Sequence, residues 1–174
     1  TVQRDHALSL QREKADLAAS MVQGYLHSLE ADLLLANTTL AAAPPSDLAL
    51  RADILASIIH VPDSPIEELV LIDPMGMEIL RTGVGPDRPL ADVAPQPVYL
   101  FPKAFEGTWL SPVRFGSQLG SDQGDPHLSI SVPLFDTATG ELVSIMAADV
   151  NLSRLGSLVT ELGLRESGVV YILD

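Results

Sequence analysis

The chain is free of proline for its first 43 residues and then meets Pro44-Pro45. No other feature constrains the fold as strongly. Proline removes a backbone donor and clashes with the helical turn before it, and the residue ahead of it is pushed out of the helical region. All 13 prolines lie between Pro44 and Pro133, and only one of the 12 glycines, Gly24, precedes Gly76. The sequence therefore divides into a long uninterrupted N-terminal element, a turn-rich middle and a regular C-terminal stretch. Ala and Leu fill 18 of the first 43 positions, and both are strong helix formers. Leu8, Ala15, Val22, Leu29 and Ala36 recur every seven residues, with Ala19, Leu26, Leu33 and Leu40 as a second row. Together they form one apolar stripe, which predicts a single helix over residues 2–43. At ~1.5 Å per residue such a helix is ~60 Å long, more than the width of a domain of this size. Part of it is expected to project or to pair with a second copy, making it a candidate homodimer interface.

The remaining punctuation predicts the other elements. Ser46 or Asp47 caps a shorter helix over residues 47–60, with Leu48, Leu55, Ile58 and Ile59 facing inward. Residues 68–81 form an apolar run, a Pro/Gly turn and a second run, the pattern of a hairpin. An irregular stretch follows, with five prolines from Pro86 to Pro102 and a short helix near residues 102–106. Three strands are expected at residues 109–115, 127–135 and 141–150, the last two joined by Asp136–Gly140 with Gly140 in a left-handed position. A final helix and a strand at residues 169–173 complete the chain. The fold class is α+β: a long N-terminal helix plus a five-stranded antiparallel sheet with flanking helices.

Composition excludes several function classes. The 174 residues suit one domain with a sizeable core, or one domain and an appendage. With 10 basic and 23 acidic residues the net charge is −13, which repels phosphates and anionic lipid and argues against nucleic acid as a partner. Without cysteine there is no disulfide framework, thiolate-bound zinc or thiol nucleophile. The histidines, His6, His27, His60 and His127, stand far apart, so no metal site is expected. No phosphate-binding glycine loop, nucleophile elbow or cofactor motif occurs. Glu67-Glu68 reads as solvated charge rather than acid–base machinery. The sequence reads as a binder and not as an enzyme.

Alternation along the strands locates the candidate site. In the fourth strand Leu128, Ile130, Val132 and Leu134 share one face, while His127, Ser129 and Ser131 share the other. In the fifth, Asp149 shares a face with Ala147, Ile145 and Val143, and in the third Trp109, Ser111 and Val113 alternate with Leu110 and Arg114. A semi-polar sheet face roofed by residues 84–108 is a candidate small-molecule pocket. Ser129, Ser131 and Asp149 either line it or face water. Tyr99, Phe101 and Trp109 either wall it or form ordinary loop-over-sheet core. Arg114 is placed to swing over a carboxylate ligand or to lie on the surface.

Four segments in order then carry a resemblance: Gly107-Thr-Trp-Leu-Ser-Pro-Val113, Pro126-His-Leu-Ser-Ile-Ser-Val-Pro-Leu-Phe-Asp136, Gly140-Glu-Leu-Val-Ser-Ile-Met-Ala-Ala-Asp-Val-Asn-Leu152 and Ser167-Gly-Val-Val-Tyr-Ile-Leu-Asp174. The chain resembles the membrane-distal half of a double Cache sensor domain, a PAS-like extracytoplasmic module of bacterial and archaeal histidine kinases, chemoreceptors and cyclases. The resemblance implies an N-terminal signalling and dimerisation helix at 1–44, a membrane-distal Cache unit at 45–152, and at 153–174 a connecting helix with the first strand of a truncated second unit. It also implies an extracytoplasmic location, a membrane-anchored parent protein and a small-molecule ligand. The family's amino-acid binders carry Arg and aromatic residues where this chain has Val98, Leu100, Phe101 and Val113, and only Asp149 matches. Tight amino-acid binding by that route is therefore not expected. Other readings of the residues are a dimerisation or spacer module without a ligand of its own, and a cytoplasmic PAS- or GAF-like module.

Overall fold

The structure, a computed structural model, describes residues 2–44, 46–83, 89–115, 124–153 and 155. Its first element, α1 (Val2–Ala42), is a 41-residue helix. The helix closes with Ala43 N–H donating to the Leu40 carbonyl at 3.2 Å, immediately before Pro44. The chain forms two compact units, Thr1–Leu29 with Ser153–Asp174, and Glu30–Leu152. The division falls inside α1, not at the proline pair. In the first unit α1 leaves Leu8, Leu10 and Leu17 about half exposed. The expected final helix beyond residue 155, the strand at 169–173 and the truncated second unit lie outside the described residues.

In the second unit α1 buries Leu33, Ala36, Asn37 and Leu40 while Leu34 and Leu35 stay exposed, the three-and-four spacing of one helical face. α2 (Leu48–Ile59) is capped by Asp47, whose carboxylate accepts from Leu50 N–H at 3.0 Å. It buries Leu55 and Ile59 and packs on the β1–β2 hairpin described next. Leu48, expected inward, is exposed, because Arg51 takes the buried position in the first turn.

β1 (Ile66–Ile72) and β2 (Glu78–Gly83) form the predicted hairpin. α3 (Pro97–Phe105) starts five residues earlier than expected, since Pro97 provides a preformed first helical residue. The predicted third strand is two short ones, β3 (Trp109–Leu110) and β4 (Arg114–Phe115). Pro112 has no N–H to give a ladder. Ser111 bridges the gap: its N–H donates to the Ser129 carbonyl at 2.9 Å and its hydroxyl accepts from Ser129 N–H at 2.8 Å. β5 (Pro126–Phe135) and β6 (Leu142–Asn151) follow. The antiparallel sheet runs β2-β1-β6-β5-β3, with β4 also on β5, so it has six strands rather than five. Gly140 has φ +71°, as the β5–β6 connection requires.

Each strand's period of two sorts its residues between the faces. Leu69, Leu71, Ile130, Met146 and Val150 are fully buried on the helix-covered face, each contributing about 1.5–3 kcal/mol of burial. Asn37 fixes α1 on this face: its amide donates to the Val132 carbonyl at 3.1 Å and accepts from the Ser144 hydroxyl at 2.6 Å. The other face carries Val70, Ile72, Ile145 and Ala147, clustered with Val93 and Tyr99.

Candidate ligand-binding site

Strand register builds the site. Glu68 of β1 pairs with Asp149 of β6, which pairs with Ser129 of β5, so a polar row crosses three strands. One pleat along, Val70, Ala147, Ser131 and Trp109 form a less polar row. Residues 91–105 are fastened over this face at three places. Glu78 N–H donates to the Ala91 carbonyl at 3.0 Å while Ala91 N–H donates to the Glu78 carboxylate at 2.8 Å. Val93 N–H donates to the Gly76 carbonyl at 2.8 Å, and the Tyr99 hydroxyl donates to the Pro74 carbonyl at 2.7 Å.

Between roof and sheet lies a cavity of about 250 Å³. Its polar wall includes Glu68, Glu78, Arg114, Ser111, Ser129 and Asp149, with Gln96 from the roof; Val70, Ile72, Val98 and Trp109 supply apolar wall. The volume is just below the ~300–1,000 Å³ of ordinary ligand sites, which sets the scale at a small molecule. Two guanidiniums organise the carboxylates. Arg114 donates through Nη1 to Ser129 Oγ at 2.9 Å and through Nη2 to Asp149 Oδ1. Arg81, opposite Val70 on β2, pairs with Glu78 and lies 3.4 Å from Glu68 through Nε. Asp149 is 6% exposed, yet its Oδ2 accepts no hydrogen bond. His127 is buried beside it, Nδ1 lying 3.9 Å from Asp149 and 3.8 Å from Glu67.

Of the residues singled out from sequence, Asp149, Trp109, Ser111, Ser129 and Arg114 come together at the cavity. Tyr99, Phe101, Val113 and Ser131 are not in its wall. Tyr99 is buried in the roof, its hydroxyl also accepting from Lys103 Nζ at 2.6 Å. Phe101 stacks on Trp109 and Phe105 outside the cavity, at centroid distances of 6.0 and 5.7 Å. Val113 is exposed beside Pro112, and Ser131 is wholly buried.

Sequence reasoning missed Glu68, Glu78 and Arg81. Glu68 reads as solvated charge but is 5% exposed, because Arg81 compensates it across the hairpin. The available signal was the period of two that puts Glu68 in step with Val70 and Ile72. Among the described residues no group of three or more His, Asp or Glu is arranged to hold a metal ion.

No protein-family model matches the chain, and no curated protein matches it in sequence. Solved structures match it in fold. The ligand-binding domain of the Pseudomonas aeruginosa PAO1 amino acid chemoreceptor PctC, in complex with GABA, superposes with TM-score 0.71 at 19% identity, over 91% of this chain and 67% of that one. The ligand-binding domain of the Campylobacter jejuni chemoreceptor Tlp3 with L-valine gives 0.70 at 14% identity, over 91% and 65%. The extracellular domain assigned to a histidine kinase, vpHK1S-Z8, gives 0.70 at 12% identity, over 91% and 64%. The chain thus spans about two thirds of the length of these domains. The fold is that of chemoreceptor and histidine-kinase sensor domains, as the sequence resemblance implies.

Proposed function

We propose that this chain is the ligand-sensing part of a membrane-anchored signal receptor, held outside the cytoplasmic membrane and acting as a binder without catalysis. A small polar molecule enters the cavity under residues 91–105, and α1 conveys its presence onward. The observation that carries this reading is a cavity lined by the buried Asp149, one of whose carboxylate oxygens has no partner. A buried acceptor left unsatisfied costs about 1–3 kcal/mol. A core built only for packing gains by replacing such a group, whereas a ligand donor offsets the cost. The shared fold with PctC and Tlp3 domains supports the reading.

GABA and L-valine occupy those two relatives. Here Val98 lines the cavity at a position where the resemblance calls for a carboxylate-binding Arg, so an amino acid held by that route is not the ligand. α1 is tied to β5 and β6 through Asn37. Binding need only favour one of two arrangements of that helix by about 1–3 kcal/mol to bias an output domain. The N-terminal part of the seven-residue rows of α1, where Leu8 stays exposed, provides a homodimer contact.

A thermal-shift screen of amines, organic acids, sugars, purines and amino acids tests the reading. At least one compound is expected to raise Tm by several degrees, and Asp149→Asn is expected to abolish that shift. If every compound leaves Tm unchanged, the chain is a spacer or dimerisation module instead.

A further inference from the structure

Arg114 engages one oxygen of Asp149 and leaves the other without a hydrogen-bond partner. Its guanidinium reaches from β4 across β5, engaging Ser129 through Nη1 and Asp149 Oδ1 through Nη2, while its own Nε makes no hydrogen bond. Asp149 lines the cavity and is more than nine-tenths buried, and its Oδ2 has no hydrogen-bond partner. The pair is complete on neither side. It is also held by a slight element: among the described residues β4 is two residues long, paired through Arg114↔His127 and Phe115↔Pro126. The Arg114 side chain is 26% exposed, so solvent already reaches it.

Charge decides what such a site accepts. Three carboxylates line the cavity, those of Glu68, Glu78 and Asp149, against the guanidinium of Arg114. Arg81 adds a second positive charge alongside Glu68 and Glu78. Three negative charges against two positive leave an excess of one negative. An entering anion would deepen that excess, and pairing it with Arg114 would strip Asp149 of its partner in a buried position. An entering cation cancels the excess and can replace Arg114 at the Asp149 oxygen it now holds.

Resting on the reading of this cavity as a ligand site, we propose that it takes a small organic monocation, an alkylammonium or amidinium that needs no carboxylate, and that Arg114 is a tethered competitor for Asp149. The ligand cation exchanges with the guanidinium, which withdraws toward solvent with β4. The affinity is then set by two terms, the strength of the ligand's own contact with Asp149 and the fraction of time Arg114 leaves it. The partial exposure of Arg114 keeps its hold modest, so its removal is worth roughly tenfold in affinity.

Titration calorimetry on the 174-residue chain with butylammonium, acetamidinium, butyrate and 4-aminobutyrate tests this. Butylammonium or acetamidinium is expected to bind the wild type, to bind Arg114→Gln about tenfold more tightly, and to lose binding in Asp149→Asn. Ser129→Ala, which removes only the hydroxyl anchoring Nη1, is expected to tighten binding by a smaller factor and decides the matter if Arg114→Gln does not fold. Cation affinity that is unchanged or weaker in both variants overturns the proposal. So does binding of butyrate or 4-aminobutyrate that Arg114→Gln abolishes, although the cavity then remains a ligand site with Arg114 as its carboxylate partner. If none of the four probes binds the wild type or Arg114→Gln, the proposal fails, while the ligand-site reading falls only if the wider thermal-shift screen is also blank.

Discussion

Gly76 is one of the places where the roof of the cavity touches the hairpin. Its φ is +90°, and a Cβ there would stand 2.6 Å from Ala94 Cβ and 2.7 Å from Ala94 Cα. The left-handed backbone and the approach of residues 91–94 both require glycine. Gly76→Ala is therefore expected to cost about 2 kcal/mol or more in stability, lowering Tm by about 5 °C. Because the Val93 N–H bond to the Gly76 carbonyl must shift as well, ligand binding should weaken with it. A Gly76→Ala protein with wild-type Tm and affinity would show that the roof is not seated on this turn. Asp136 gives a residue-scale prediction of another kind. The backbone N–H of Thr139, then that of Ala138, donates to its carboxylate and holds its pKa below the usual carboxylate value. A depressed carboxylate pKa contributes stability above the unfolded value of ~3.9 and loses it as pH falls through the folded one. Asp136→Ala should accordingly lower Tm at neutral pH, and the difference from wild type should shrink as the pH drops below about 4. A Tm difference that stays constant from pH 7 to 2 would contradict this.

At the scale of elements, the junction of α1 with the sheet depends on one buried polar pair. Asn37 and Ser144 are both buried, and losing either leaves hydrogen-bonding groups of the other stranded. Asn37→Leu should cost about 2–3 kcal/mol and Ser144→Ala about 1 kcal/mol, with the double variant costing clearly less than the sum. Denaturant titration of the four proteins measures the coupling, and strict additivity would mean the pair is not a unit. Nothing in the sequence flags Asn37 beyond a polar residue within an apolar helix. Its partners, Val132 and Ser144, lie 95 and 107 residues away. What was legible followed from local rules. Proline placement marked the end of α1, period-two alternation put Ser129 and Asp149 on one face, and Gly140 marked its turn. What was not legible depended on partners across the sheet. Glu68 looks solvated until Arg81 is known to sit across the hairpin, and Tyr99 stays open between pocket wall and core until its hydroxyl is seen to be committed to the Pro74 carbonyl. The split of the third strand shows the same limit. Pro112 announces a break, but Ser111's replacement of the missing ladder bonds belongs to tertiary structure.

For the whole molecule the relevant quantities are a net charge of −13 and a helix with unused apolar positions. Leu8, Leu10 and Leu17 are 46%, 49% and 51% exposed in the first unit, and no described contact there uses them fully. Leu8 lies in the same seven-residue row as Ala15 and Val22, the spacing that keeps one seam of a helix against a partner helix. Association through that seam brings two chains of like charge together, so it works against their mutual repulsion. Two consequences follow for sedimentation equilibrium. The chain should show a concentration-dependent monomer–dimer equilibrium that tightens as salt is raised, because screening weakens the repulsion while leaving apolar burial intact. Leu8→Asp, which places a charge in the seam, should weaken the dimer at least about tenfold, equivalent to about 1.4 kcal/mol. Leu8 lies outside the Glu30–Leu152 unit that carries the cavity. The variant should therefore keep the wild-type response to cations in calorimetry, which separates assembly from binding. A chain that remains monomeric at every concentration and salt, or a Leu8→Asp variant that dimerises like the wild type, would remove α1 as the dimer contact and leave ligand recognition to be tested on its own.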